Sequence, residues 1–161
     1  MLWLVGMMAS GKSTVGEAAA RELAVEFVDM DLLLESRWGP IPRQWAEEGE
    51  TVFRRREADL LEELAAGGGA KVVSTGGGVV LSPTSVETMR TSGTVVWLRA
   101  DPSTLRTRLT GGSERPPLAG RNLEALSEER KSLYESSADR VVDTDALTVT
   151  EVVEEVIAAW K

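Results

Sequence analysis

Gly6-Met7-Met8-Ala9-Ser10-Gly11-Lys12-Ser13 follows the apolar run Leu2-Trp3-Leu4-Val5 and leads straight into a helical pattern, Thr14 to Leu23. A G-x-x-x-x-G-K-S spacing between a strand and a helix has the chemistry of a phosphate-binding loop. Its glycines let backbone N–H groups wrap a polyphosphate, and the following helix presents the positive end of its dipole. Lys12 can then reach the β- and γ-phosphates of a nucleotide, and Ser13 can place its hydroxyl on Mg²⁺. Asp29-Met30-Asp31 ends a second apolar pair, Phe27-Val28. Two carboxylates there can divide the work of phosphoryl transfer, one holding Mg²⁺ through water and the other accepting a proton from a substrate hydroxyl; either could also cap the helix that follows.

Arg54 and Glu57 stand three apart in a helical stretch, on one face, where the glutamate can orient the guanidinium for a bidentate grip on a substrate carboxylate. Because Arg54, Arg55 and Arg56 are consecutive, they point in different directions, and one or two at most face a common site. Ser74-Thr75-Gly76-Gly77-Gly78 closes another apolar run; three glycines there let backbone approach a ligand closely or make a tight turn. The chain has no histidine and no cysteine, so a general base at neutral pH must be a carboxylate or a lysine, and disulfides and zinc-thiolate sites are excluded.

The elements that must carry these groups are legible as short apolar runs separated by amphipathic segments. Leu2 to Val5, Phe27-Val28, Lys71 to Ser74, Thr94 to Leu98 and Val141-Val142 are expected as buried strands of a parallel sheet with helices on both faces. Helices are expected over Leu32 to Arg37, through Glu57 to Ala66 with a stop at Gly67-Gly68-Gly69, after Ser82-Pro83 and Asp101-Pro102, and over Glu151 to Trp160. The segment from Gly111 to Arg121 is too rich in glycine and proline for periodic structure and carries Arg115 and Arg121, which suits a mobile flap over a nucleotide.

At 161 residues a single domain is expected. The formal charge of −8 argues against nucleic acid or an anionic membrane as partner. No apolar stretch reaches the length of a membrane span and strand-forming residues begin at once, so a cytoplasmic location is expected; a monomer is expected separately.

Together these motifs resemble the shikimate kinase family. The resemblance runs in order from Leu2 to about Asp143: the loop ending G-K-S-T, D-x-D after the second strand, Gly49-Glu50-Thr51-Val52-Phe53-Arg54-Arg55-Arg56-Glu57, the G-G-G turn, Arg115-Pro116-Pro117-Leu118, and Arg130-Lys131-Ser132-Leu133-Tyr134. It implies a P-loop kinase fold, an α/β architecture with a five-stranded parallel sheet, a substrate region over about 31–60 and a mobile lid over about 110–121. It also implies transfer of phosphate from ATP, with Mg²⁺, to a ring hydroxyl of shikimate. By the resemblance Asp31 meets that hydroxyl and acts as base, while Asp29 lies near Mg²⁺ with Ser13. Arg54 and Arg130 grip the substrate carboxylate beside Gly76, Gly77 and Gly78. Arg115 is the lid arginine that meets ATP phosphate, and Ala9, Ser10, Gly11, Lys12, Ser13 and Thr14 form the nucleotide cradle.

Two departures from the family pattern stand out. Ala9 occupies a place usually held by glycine, adding a Cβ to the cradle. Leu109 stands where arginine is common, and Asp143-Thr144-Asp145-Ala146 has no basic residue, so adenine contacts are not assignable from sequence. Trp45 and Tyr134 are assigned to packing. The competing readings are a related small-molecule kinase such as a gluconate kinase, and a kinase-like binding module without activity. A GTP-dependent switch is excluded because the sole asparagine, Asn122, is followed by leucine and cannot open N-K-x-D.

Overall fold

In the computed structural model, residues 1–110 and 122–160 are described. Five strands, β1 (Leu2–Val5), β2 (Glu26–Asp29), β3 (Lys71–Ser74), β4 (Thr94–Arg99) and β5 (Arg140–Asp143), form one sheet in the order β2-β3-β1-β4-β5. Every pairing is parallel; Leu2 stands opposite both Val72 and Thr94, and Asp29 opposite Ser74. Because side chains alternate between the faces and both faces are covered, the central strands read as unbroken apolar runs. Leu2, Leu4, Val72, Val96 and Leu98 pack on one face, while Trp3, Val5, Val73, Val95 and Trp97 pack on the other.

The first face is covered by α1 (Lys12–Leu23) and α8 (Val149–Ala159). Gly16 permits this close approach, since a Cβ there would lie 2.6 Å from the Phe27 ring and 3.1 Å from Leu4. The second face carries α2 (Met30–Trp38), α3 (Ile41–Glu48), α4 (Glu50–Ala66), α5 (Pro83–Ser92), α6 (Pro102–Thr110) and α7 (Leu123–Ser137), with Leu34, Leu60, Leu61, Met89, Leu105, Leu126 and Tyr134 in its core.

Local signals explain most boundaries. Ser82 caps α5 ahead of Pro83, and Gly67 closes α4 with its N–H on the Glu63 carbonyl. The last helix starts at Val149, two residues before the position expected from its apolar pattern, because Thr148 and Glu151 form a capping box. Asp29 caps α2, which therefore begins at Met30, before Leu32.

The strand order places β1 at the centre: the chain crosses from β1 past β3 to β2, returns to β3, and then crosses past β1 to reach β4 on the other side. In such sheets the crevice beyond the carboxyl ends of the strands, where the winding reverses, is the ligand site. The phosphate loop after β1, Asp29-Met30-Asp31 after β2 and the glycine turn after β3 all lie at that end.

Candidate active site

The loop from Gly6 to Gly11 is built around positive φ angles, 146° at Gly6, 61° at Ala9 and 97° at Gly11. At Gly6 the need for glycine is also steric: a Cβ would sit 2.6 Å from the Leu98 carbonyl oxygen and 2.9 Å from Ser10 Oγ. Lys12 is buried and donates from Nζ to the Gly6 and Met7 carbonyls, each at 2.9 Å. Ser10 Oγ is buried without a hydrogen-bond partner, a polar atom held at the floor of a cradle suited to phosphate. Above it opens a cavity of about 350 Å³ bordered by the loop and by Arg108, Leu109 and Thr144.

Hard oxygen donors meet beside this loop. Ser13 Oγ donates to Asp29 Oδ2 at 2.5 Å and lies 3.5 Å from Ser74 Oγ. The other Asp29 oxygen accepts from the backbone N–H groups of Asp31 and Leu32, at 3.0 and 3.2 Å. Asp29 thus caps a helix with one carboxylate oxygen and meets Ser13 beside the phosphate loop with the other. Mg²⁺ commonly takes one or two protein oxygens and completes its shell with water and substrate phosphate, and this donor set fits it. Among the described residues no group of three or more acidic, histidine or cysteine side chains gathers as a full metal cage.

A second group of charges surrounds the glycine turn, which the N–H and hydroxyl of Thr75 tie to β1 through the Leu4 carbonyl at 3.1 and 2.9 Å. Arg54 donates to Glu57 Oε2 at 2.7 Å and, more loosely, to Glu50 at 3.4 Å. Its guanidinium also lies 5.5 Å from the Trp45 ring and 5.4 Å from the Phe53 ring. Arg130, from α7, donates to the Gly77 carbonyl at 3.0 Å, and the Tyr134 hydroxyl donates to the same oxygen at 2.5 Å.

Charged groups crowd two of the three glycines, Gly76 and Gly78. A Cβ on Gly76 would collide with Glu57 Oε1 and approach Asp31 Oδ1 to 3.1 Å, one on Gly78 would collide with the Arg54 guanidinium, and one on Gly77 would lie 3.8 Å from Arg130 Nη1. Asp31, Arg54, Gly76, Gly77, Gly78 and Arg130 are therefore brought together around one turn, with Glu57 among them.

Glu57 is 3% exposed, and burial pushes its carboxyl above the ordinary glutamate value, opposed by Arg54 and Arg130 and reinforced by Asp31. Burial also works against the Arg54 charge, but Glu57 and Glu50 more than offset it, so Arg54 stays a firm cation. Burial moves the Tyr134 phenol upward, leaving it a neutral donor. Glu57 Oε1 and Arg130 Nε are buried without hydrogen-bond partners, which marks this polar cluster as incomplete without a ligand.

Arg115, Arg121 and nearly all of the expected lid lie outside the described residues. Two contributors were not expected. Arg108 spans the cavity edge, donating to Thr144 Oγ1 at 3.0 Å and to the Thr144 carbonyl at 2.9 Å. Tyr134, assigned to packing, does stack on Trp97 at 5.5 Å, yet its hydroxyl also fixes the glycine turn. The arginine content of α6 was the only sequence signal for Arg108, and the R-x-x-L-Y spacing was the signal for Tyr134.

The comparisons with known proteins identify the family. The family model described as Shikimate kinase matches residues 8–161. A shikimate kinase of Ralstonia nicotianae is 41% identical over 161 residues, covering 97% of this chain and 84% of that protein. Among solved structures, shikimate kinase from Acinetobacter baumannii in complex with shikimate superposes with a TM-score of 0.86 at 31% identity, covering 97% of this chain and 89% of that one. Shikimate kinase from Aquifex aeolicus superposes with a TM-score of 0.82 at 34% identity, covering 98% and 94%. With a phosphate cradle, a paired-aspartate edge and an arginine-lined glycine turn on one sheet end, and a family match over nearly its whole length, the chain belongs to the shikimate kinase family.

Proposed function

We propose that this chain is an ATP-dependent kinase that phosphorylates a ring hydroxyl of shikimate to give shikimate 3-phosphate and ADP, in the formation of aromatic amino acids. The observation that carries this reading is the cluster at the glycine turn, where Arg54 and Arg130 flank a buried Glu57 that has one unsatisfied oxygen. Two guanidinium groups fixed this way suit an anionic group such as a planar carboxylate better than a neutral sugar.

The residues divide the work as follows. Ala9, Ser10, Gly11, Lys12, Ser13 and Thr14 hold the polyphosphate of ATP, and Lys12 offsets charge on it. Ser13 and Asp29 would hold Mg²⁺, which when bound neutralises phosphate charge. Asp31 orients the acceptor hydroxyl and takes its proton; a half-buried carboxylate is the natural base in a chain without histidine. Gly76, Gly77 and Gly78 let the ring lie against backbone, Arg54 and Arg130 fix its carboxylate, and Arg115 completes the phosphate contacts from the 110–121 segment. The chain acts as one domain and a monomer in the cytoplasm. No helix among the described residues is long and apolar enough to cross a membrane.

The test is ADP release measured across shikimate, quinate, gluconate and nucleoside monophosphates. Shikimate is expected to lead by a wide margin, and a clear preference for any other acceptor overturns the reading.

A further inference from the structure

Of the three consecutive arginines on α4, Arg54 faces the glycine turn. Residues two apart leave a helix about 200° from one another, so Arg56 emerges on the other side, and Arg55 between them is exposed. Arg56 nevertheless keeps only 18% of its side chain exposed. It donates to both Glu48 oxygens, at 2.5 and 2.9 Å, and to Gln44 Oε1 at 3.1 Å. Its guanidinium also lies 5.1 Å from the Trp38 ring at the end of α2. A lone surface ion pair contributes little, but this contact is bidentate and stacked on an indole. It continues through Gln44, which is buried and donates to the Gly39 carbonyl at 2.7 Å. Arg56 thus ties α4 to α3 and to the end of α2.

Helix α3 depends on such ties. It has eight residues, no side-chain N-cap and Pro42 in its first turn. A helix that short is marginal on its own, so contacts with its neighbours set where it lies. The residue after Gln44 is Trp45, whose ring lies 5.5 Å from the Arg54 guanidinium and 5.7 Å from the Phe53 ring. Arg54 is thereby held from two sides, by the Glu57 carboxylate and by the Trp45 ring.

We propose that Arg56 is a positioning residue for the acceptor: by holding α3 on α4 it seats Trp45 against Arg54, and so pre-sets the Arg54 fork for a carboxylate without touching the acceptor. A guanidinium freed on one side must be ordered again at each binding event, and that cost appears in acceptor affinity. Asp31 is fixed separately, at the other end of α2 beside the Asp29 cap, so the proton-accepting step keeps its geometry. The proposal rests on the carboxylate reading of the site.

Steady-state kinetics of the full chain with Arg56→Ala, Glu48→Gln and Arg55→Ala test this. Arg56→Ala is expected to raise the KM for shikimate at least about fivefold, with kcat and the KM for ATP within about twofold of the parent. Glu48→Gln, a surface change that preserves the fold, is expected to raise the same KM, and the double variant to exceed Arg56→Ala by little, since both break one tie. Arg55→Ala is expected to match the parent. A shikimate KM unchanged in Arg56→Ala or Glu48→Gln, an equal rise in Arg55→Ala, or a loss confined to kcat overturns the proposal. If the parent prefers quinate or gluconate, the shikimate assignment alone fails, and the same split is expected on the KM of that carboxylate. Preference for an acceptor without a carboxylate overturns both.

Discussion

Among the described residues two alanines adopt the left-handed conformation, Ala9 in the phosphate loop at φ 61° and Ala24 at the end of α1 at φ 53°. For a residue with a Cβ this conformation costs about 1–2 kcal/mol. Replacement by glycine removes that strain but restores unfolded-state freedom worth about 0.5–1 kcal/mol, leaving a net gain near 1 kcal/mol at each site. In a domain of this size that corresponds to a rise in Tm of about 2–4 °C. The two positions serve as mutual controls. Ala24 only closes a helix, its N–H reaching the Ala20 and Arg21 carbonyls, whereas Ala9 belongs to the cradle and its carbonyl is held by Arg108. Thermal melts of Ala9→Gly and Ala24→Gly are therefore expected to rise by similar amounts and to add in the double variant, since the sites share no partner. Only Ala9→Gly is expected to change the KM for ATP. A Tm that is unchanged or lower in Ala9→Gly, beside a raised one in Ala24→Gly, would refute the claim that the phosphate loop carries backbone strain at Ala9.

Arg54→Lys keeps the charge but loses the fork that Glu57 orients; its KM for shikimate is expected to rise by about 10- to 100-fold, with that for ATP within about threefold, and equal effects on both would count against the carboxylate grip. Asp31→Asn is expected to lower kcat by about 10²–10⁴ with nucleotide affinity nearly unchanged, and calorimetry with ADP separates the two. Glu57 carries a raised native pKa, so the stability linked to its proton is fully present below the ordinary value of 4.5 and is lost as pH rises through the native value. Glu57→Gln stays neutral throughout, so its Tm relative to the parent is expected to climb as pH goes from acid to neutral; a gap that narrows with rising pH would be the wrong sign.

The strands were legible because parallel strands covered on both faces must be short, apolar and rich in β-branched residues, as Lys71–Ser74 and Thr94–Arg99 are. Helix α3 was not, because its signals are not local. Ile41–Glu48 has no side-chain N-cap and carries Pro42 in its first turn; its entry is held by Glu35, which accepts from the Ile41 N–H at 3.0 Å, and by Gln44, which reaches the Gly39 carbonyl at 2.7 Å. The phosphate loop and Asp29-Met30-Asp31 could be read for chemistry since each is a short run with its own geometry. The pairing of Arg54 with Arg130 could not be derived that way, because it depends on α4 and α7 packing on the same face of the sheet, and it came from family resemblance. Arg108 escaped notice for a related reason: its role is set by a loop after β5 that only the fold brings beside α6.

The central claim is that this site recognises its acceptor through a carboxylate held by Arg54 and Arg130. Comparing kcat/KM of the unaltered protein for shikimate and for the carboxamide analogue tests it most directly, since the amide keeps the ring and its hydroxyls and removes only the charge. Loss of the charge-assisted contacts to half-buried Arg54 and buried Arg130 predicts that the amide is used at least about 100-fold less well. Equal use of acid and amide would contradict the carboxylate grip and, with it, the assignment of shikimate as substrate.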